Sequence, residues 1–210
     1  TAETAFVPDA ANGASLGTAS LEFADLYLHD GAQILFGADQ DVVLTHAADA
    51  GLTLKTATTS DDTKATLTLQ TGDTDIAADD VLGQLHFQAP DEGAGTDAIL
   101  VAAGIAAISE GDFSASNNAT KLSFQTGASE AATEKMSLSS VGSLHLTGTA
   151  TTNQLKIENS DGGTASAPDL VLFRNSASPA DADALGRIHF RGKTDSGAEA
   201  NYSYIYTEAT

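Results

Sequence analysis

Apolar residues in this chain recur at every second position in short runs, and turn-forming residues close nearly every run. Thr66-Leu67-Thr68-Leu69-Gln70-Thr71 alternates in this way and stops at Gly72-Asp73. Gln84-Leu85-His86-Phe87-Gln88 does the same before Pro90-Asp91-Glu92-Gly93. Period two is the spacing of a strand with one buried face, because successive side chains point to opposite sides. By the same reading Leu26-Tyr27-Leu28, the turn Asp30-Gly31 and Ile34-Leu35-Phe36-Gly37 form a hairpin. Residues 41–45 and 52–55 are two more strands, split by Asp49-Ala50-Gly51. Residues 121–126, 135–139 and 143–147 follow as short strands, and 154–158 opens a further group. Residues 1–20 show no period and read as an extended lead-in. Only 128–134 has helical propensity, and it is too short to stand alone.

The pattern also repeats at long range. Leu82-Gly83-Gln84-Leu85-His86-Phe87 returns 103 positions later as Leu185-Gly186-Arg187-Ile188-His189-Phe190, with four of six residues identical. In the same register Leu67 and Leu69 fall on Leu170 and Leu172, and Leu52 and Leu54 on Leu155 and Ile157. One inserted residue then brings Asp91, Gly93 and Ala94 onto Asp195, Gly197 and Ala198. The repeat resolves an ambiguity. Residues 97–109 are Ala-rich enough for a helix, yet Ile99, Val101 and Ile105 suit a buried strand. Their counterpart, Asn201-Tyr202-Ser203-Tyr204-Ile205-Tyr206-Thr207, is strongly strand-forming, so both segments are predicted as strands. The resulting organisation is a lead-in over 1–20, a first β module over 21–62, repeat module 1 over 63–150 and repeat module 2 over 151–210. Matched strand fragments at a long period are the signature of a modular or fibrous protein rather than of one catalytic pocket.

Composition sharpens this picture. The hydrophobic fraction is 41%, but much of it is Ala, aromatics are 6% and there is no Trp. A lone globule would have few large side chains around which to build a core. Such a chain either stays partly disordered or gains its core by pairing with copies of itself, and the alternating strands favour the second. With 29 Asp and Glu against 9 Lys and Arg, the net charge of −20 argues against nucleic acid and anionic membranes as partners. The same acidity keeps an exposed protein soluble. Cys is absent, which excludes disulfides and thiolate metal sites. No apolar run is long enough for a membrane-spanning helix, so no membrane insertion is expected. The chain begins Thr1-Ala2-Glu3 with no signal-peptide pattern and stops at Thr210 inside the second repeat, so it reads as a segment of a longer polypeptide.

Candidate chemistry is sparse. The five His residues (29, 46, 86, 145 and 189) include no His-x-His pair and stand beside no cluster of other ligands. Surface or inter-chain hydrogen bonding suits them better than metal. Asp39-Gln40-Asp41 and Asp79-Asp80 are calcium candidates, Asp39 and Asp41 foremost, but neither continues as an EF-hand loop and turn-making explains such Asp residues. No Gly-x-Ser-x-Gly elbow, P-loop or dinucleotide fingerprint is present. With no Trp and four Tyr, three of them within 202–206, no broad sugar-binding groove is evident, and the Tyr cluster reads as a packing ladder between chains. No enzyme activity and no cofactor are expected.

Several of these stretches resemble a family. Thr120-Lys-Leu-Ser-Phe-Gln-Thr-Gly127, followed by Glu134-Lys135-Met136-Ser137-Leu138-Ser139-Ser140-Val141-Gly142-Ser143-Leu144-His145-Leu146, is similar to a repeat of bacteriophage tail fibres. That repeat has an F-x-T strand, a Glu-Arg-Met strand, a Ser-x-Gly turn and a short closing strand. The runs GQLHFQAPDEGAG and GRIHFRGKTDSGAEANYSYI resemble its companion, and 30–37 with 41–44 also look like fibre sequence. Together they cover most of 25–210, with Lys135 where Arg is usual and an unusually acidic, Ala-rich makeup. The resemblance implies an elongated, all-β homotrimeric shaft of short strands and hairpins on a virion, attached to other tail proteins and serving host adsorption. The host receptor is then met by a tip outside this segment. In such a trimer each inward residue becomes a buried triplet, so modest side chains suffice. Leu67, Leu69, Leu85, Phe87, Leu122, Phe124, Leu138, Leu146, Leu170 and Leu172 are the expected inward set. A fibrous bacterial surface adhesin or a capsid-attached fibre would use the same physics. A polysaccharide-degrading tailspike is the third reading.

Overall fold

The computed structural model describes residues 8–11, 13, 15–90, 95–149, 153–164 and 168–209. Among them the chain is all β, with ten strands and no helix, hence none long and apolar enough to cross a membrane. The strands are β1 (Gln33–Phe36), β2 (Val42–Ala47), β3 (Gly51–Thr56), β4 (Val81–Gln88), β5 (Val101–Ser109), β6 (Thr120–Thr126), β7 (Thr133–Leu138), β8 (Leu144–Leu146), β9 (Ala184–Lys193) and β10 (Glu199–Glu208). They form a three-stranded sheet β1-β2-β3, a five-stranded sheet β4-β5-β6-β7-β8 and the pair β9-β10. The Ala-rich segment is therefore a strand, as its Tyr-rich counterpart predicts.

One compact unit comprises Thr1–Phe87 with Gly104–Leu122. Its first sheet is antiparallel throughout, Ile34 facing Leu44 and Leu44 facing Leu54. This corrects the expected hairpin of Leu26-Tyr27-Leu28 with 34–37, because β1 pairs with β2 and 26–28 is not a strand. The turn at His29–Ala32 does form, with the Ala32 N–H on the His29 carbonyl at 3.0 Å. The hairpin instead closes at Gly37–Asp41, where Gly37 (φ +84°) and Gln40 (φ +53°) take left-handed backbone. A six-residue β2 offers a longer ladder than three residues before Asp30 can. Between β2 and β3 the predicted turn is present, with the Ala50 N–H on the Ala47 carbonyl and Asp49 at φ +59°.

The same unit holds the start of β4 and the end of β5 joined by a compact corner. The Asp79 N–H bonds the Ser109 carbonyl (3.0 Å), the Ser109 N–H bonds the Asp80 carbonyl (2.9 Å), and Asp79 sits at φ +70°. The Asp80 carboxylate accepts from the Ala77 N–H at 2.7 Å, so this Asp makes a turn. Ser109 is fully buried; its hydroxyl accepts from the Asp80 N–H (3.0 Å) and donates to the Ala77 carbonyl. We expect Ser109→Ala to cost about 1 kcal/mol, the net worth of a side-chain hydrogen bond, rather than the larger penalty of a collapsed turn. A urea midpoint measured at fixed chain concentration checks this.

The second unit comprises Gln88–Ala103 and Ser123–Thr210. Here β7 and β8 pair as a hairpin, Met136 facing Leu146 and Leu138 facing Leu144, and the 139–143 loop closes with Gly142 at φ +79°. Strand β9 pairs antiparallel with β10, Ile188 facing Ile205 and His189 facing Tyr204. At its base the 77–80 corner recurs. The Ala182 N–H bonds the Ala209 carbonyl (3.0 Å), the Ala209 N–H bonds the Asp183 carbonyl (2.9 Å), and Ala182 has φ +65°. The Asp183 carboxylate accepts from the Ala180 N–H at 3.1 Å. Ala182 and Asp183 lie 103 positions after Asp79 and Asp80, and Ala209 stands where the first corner has Ser109. That Ala supports the same turn is why the Ser109→Ala cost above is set low.

Besides 26–28, the predicted strand at 66–71 belongs to no sheet, and neither do 154–158, where the second module opens, or 169–174, the counterpart of 66–71. Among the described residues, the backbone groups of Ala65–Gln70 and of 169–173 have no hydrogen-bond partner. The alternation is real; among the described residues no neighbouring strand edge pairs with these segments. The expected turn at Pro90-Asp91-Glu92-Gly93 lies outside the described residues after Pro90, as do 1–7 of the expected lead-in.

Candidate functional site

A chain with this strand content should hide one face of each sheet, yet among the described residues only Val43 and Ala106 are buried hydrophobics. The other fully or largely buried side chains are small and polar, namely Ser109, Ser123 and Ser137. Many large apolar side chains are exposed instead, among them Leu67, Leu69, Leu85, Phe87, Leu122 and Leu138, which alternation marks as inward.

In the first unit Leu67, Leu69, Leu85 and Leu122 come together with Ile105 around an open apolar groove of about 330 Å³. Four of the expected inward residues therefore share one site. Phe87 lies on the same face of β4 as Leu85 and is exposed. Leu69 reaches its place because Gly83 leaves room. A Cβ added at Gly83 would lie 2.7 Å from the Leu69 Cβ and 3.2 Å from its carbonyl oxygen.

The second unit shows the same device. A Cβ at Gly186 would lie 3.2 Å from the Cβ of Leu172, and these two residues are 103 positions beyond Gly83 and Leu69. Leu170 and Leu172 are exposed. Phe124 on β6 and Leu146 on β8 are half-buried, and Leu138 on β7 is exposed. The signal for the Leu-on-Gly contact is the joint recurrence of Leu69 with Gly83 and of Leu172 with Gly186 in the 103-residue register.

The calcium candidates are drawn toward one point. The Oδ1 atoms of Asp41 and Asp39 lie 2.8 and 3.0 Å from where a Gly37 Cβ would be. Among the described residues no three His, Cys, Asp or Glu side chains gather as a metal site. Of the histidines, His46 Nδ1 lies 3.7 Å from Asp30 Oδ1, His29 bonds the Asp30 carbonyl, His86 is exposed, His145 meets Thr147, and His189 lies against Tyr204.

The Tyr cluster does not form one row. Tyr204 and Tyr206 line one face of β10, their ring centres 5.8 Å apart, while a bulge between Asn201 and Ser203 sends Tyr202 over Gly192. The Tyr206 phenol is held above its ordinary value of 10.0 because its hydroxyl is bonded to Glu208, whose negative charge also opposes ionisation. Arg187 partly offsets this. The contact favours the folded hairpin while the phenol is protonated, in full below the ordinary value, and is lost as pH rises through the raised one. An ultraviolet pH titration should therefore show a tyrosine ionising above the ordinary value, and Glu208→Gln should lower it.

Compared with known families and curated proteins, the chain matches no family model and no curated relative.

Proposed function

We propose that this chain is a shaft segment of a homotrimeric fibre on a bacteriophage tail, built from repeated β modules and spacing a distal receptor-binding tip from the particle. The observation that carries the reading is the apolar surface left bare on every sheet, centred on the groove of Leu67, Leu69, Leu85 and Leu122. Recurrence of the Leu-on-Gly contact and of the 77–80 corner 103 positions later supports a modular shaft. The resemblance of the 120–146 run to fibre repeats supplies the virion setting.

The role is mechanical. Several weak tips held on one particle bind together through effective concentration, which needs a spacer of fixed length and no chemistry of its own. Sedimentation velocity with light scattering tests the reading. An elongated particle of three times 21.3 kDa is expected, and a compact monomer would overturn it.

A further inference from the structure

The β7–β8 hairpin repeats β1–β2 at a shift of 136 − 34 = 102 positions. In β1–β2, Ile34 faces Leu44 and Phe36 faces Val42. In β7–β8, Met136 faces Leu146 and Leu138 faces Leu144. The loops close alike, with the Gln40 N–H on the Gly37 carbonyl at 3.3 Å and the Gly142 N–H on the Ser139 carbonyl at 3.0 Å. Gln40 and Gly142 both take left-handed backbone, at φ +53° and +79°. Over 33–45 and 135–147 only the Leu-Thr pair at the end is identical, so the kinship shows in the backbone.

The third strand differs. In the first sheet β3 covers the outer edge of β2, Leu54 facing Leu44. Its counterpart in the 103-residue repeat is 154–159, with Leu155 and Ile157 in the places of Leu52 and Leu54. Among the described residues the backbone of 154–158 has no hydrogen-bond partner. Strand β8 is meanwhile the edge of its sheet, paired with β7 alone. A strand and its seat are both present and unjoined.

We propose that residues 154–159 are a strap that closes on the outer edge of β8, completing a sheet of the β1-β2-β3 kind. The register of β2 with β3, carried over, sets Leu146 against Ile157, His145 against Glu158, Thr147 against Lys156 and Gly148 against Leu155. Ile157, now 48% exposed, then extends the apolar row of Met136 and Leu146, as Leu54 extends that of Ile34 and Leu44. Val43 and Lys55 are replaced together by His145 and Glu158, a hydrogen-bonding combination across the ladder. The strap already starts at its seat, because Gln154 Nε2 donates to the Gly148 carbonyl at 3.1 Å and its side chain lies over Gly148. The connection from Gly148 to Gln154 is short, which favours the chain's own strap over that of another copy.

Two differences explain why this strap opens more easily than β3. Gly148 stands where β2 has His46, and a glycine loses more conformational freedom on pairing. The connection is also one residue longer, since Leu44 to Leu54 spans 54 − 44 = 10 positions and Leu146 to Ile157 spans 157 − 146 = 11. Open, the strap leaves β8 a bare edge that accepts a strand from another molecule; closed, it blocks that edge. The device is internal to one chain and does not rest on the fibre reading.

The chain has no Cys, so introduced cysteine pairs read the register directly. Thr147→Cys with Lys156→Cys joins the expected partners, both exposed. Thr45→Cys with Thr53→Cys joins their counterparts in the first sheet and is the positive control. Thr147→Cys with Leu155→Cys puts the thiols on opposite faces and is the register control. Each full-length variant is oxidised and its mass read under denaturing, non-reducing conditions. The 147–156 pair is expected to close within single chains as completely as the 45–53 pair, and the register control to stay reduced. Hydrogen exchange of the parent chain gives a second reading. Residues 154–159 are expected to exchange more slowly than the same sequence as a free peptide and faster than β3. The proposal is overturned if the 147–156 thiols stay apart, if the register control closes equally well, or if 154–159 exchange as fast as the free peptide. It is equally overturned if the 147–156 pair links two chains, which would make the β8 edge a seat for another copy's strand.

Discussion

Leu85→Asp is expected to convert the proposed trimer to monomers at micromolar chain concentration. Leu85 lines the apolar groove and is 46% exposed in the single chain, so its remaining surface is available to a neighbour. Burying a Leu side chain contributes roughly 1.5–3 kcal/mol, and in a trimer the substitution enters three times, removing about 5–9 kcal/mol per particle. An unpaired carboxylate buried between chains of the proposed trimer would add to that loss. Light scattering at two chain concentrations reads the outcome. Val141→Asp is the control, since this exposed residue sits in the loop between β7 and β8 and should leave the mass unchanged. A trimeric Leu85→Asp chain would mean that the groove faces solvent.

The second large effect is Gly83→Ala. The added methyl would sit 2.7 Å from the Leu69 Cβ, an atom fixed to the backbone, so the extended segment itself must move. Overpacking of this kind costs about 2 kcal/mol. Gly186→Ala should cost less than half of that, because the Leu172 contact there begins at 3.2 Å and a small shift relieves it. Urea midpoints of the two variants at equal chain concentration test the ranking. Equal costs would imply that the extended segments are not held against these glycines.

Strands closed by Gly, Asp or Asn were readable from the sequence because the turn chemistry and the alternation agree. Residues 121–126, 135–139 and 143–147 all correspond to β strands within a residue or two. The 101–109 strand was readable only through its Tyr-rich counterpart, since Ala contributes no period of its own. The first hairpin was misread because Gln40 carries no obvious sign of the left-handed backbone it adopts. Residues 66–71 and 169–174 show the deeper limit. Alternation tells which side chains share a face, but it does not tell which chain supplies the hydrogen bonds. The tyrosine face was hidden for a related reason. A one-residue bulge at Tyr202 separates three residues that simple alternation places together.

The unpaired backbone of Ala65–Gln70 and 169–173 also has a bearing on how the protein comes into being. Hairpins such as β7–β8 and β9–β10 join residues close in the chain and form quickly, before any other molecule arrives. The Thr-Leu-Thr-Leu and Leu-Val-Leu-Phe runs at 66–69 and 170–173 gain nothing from that stage and wait as bare, pairing-competent edges. On the trimer proposed above, newly made chains would pass through an interval in which correct assembly and aggregation compete for the same amides. The outcome would then turn on how soon sister chains meet and align, which favours synthesis from neighbouring ribosomes or a holding chaperone. During that interval the net charge of −20 keeps misaligned encounters short.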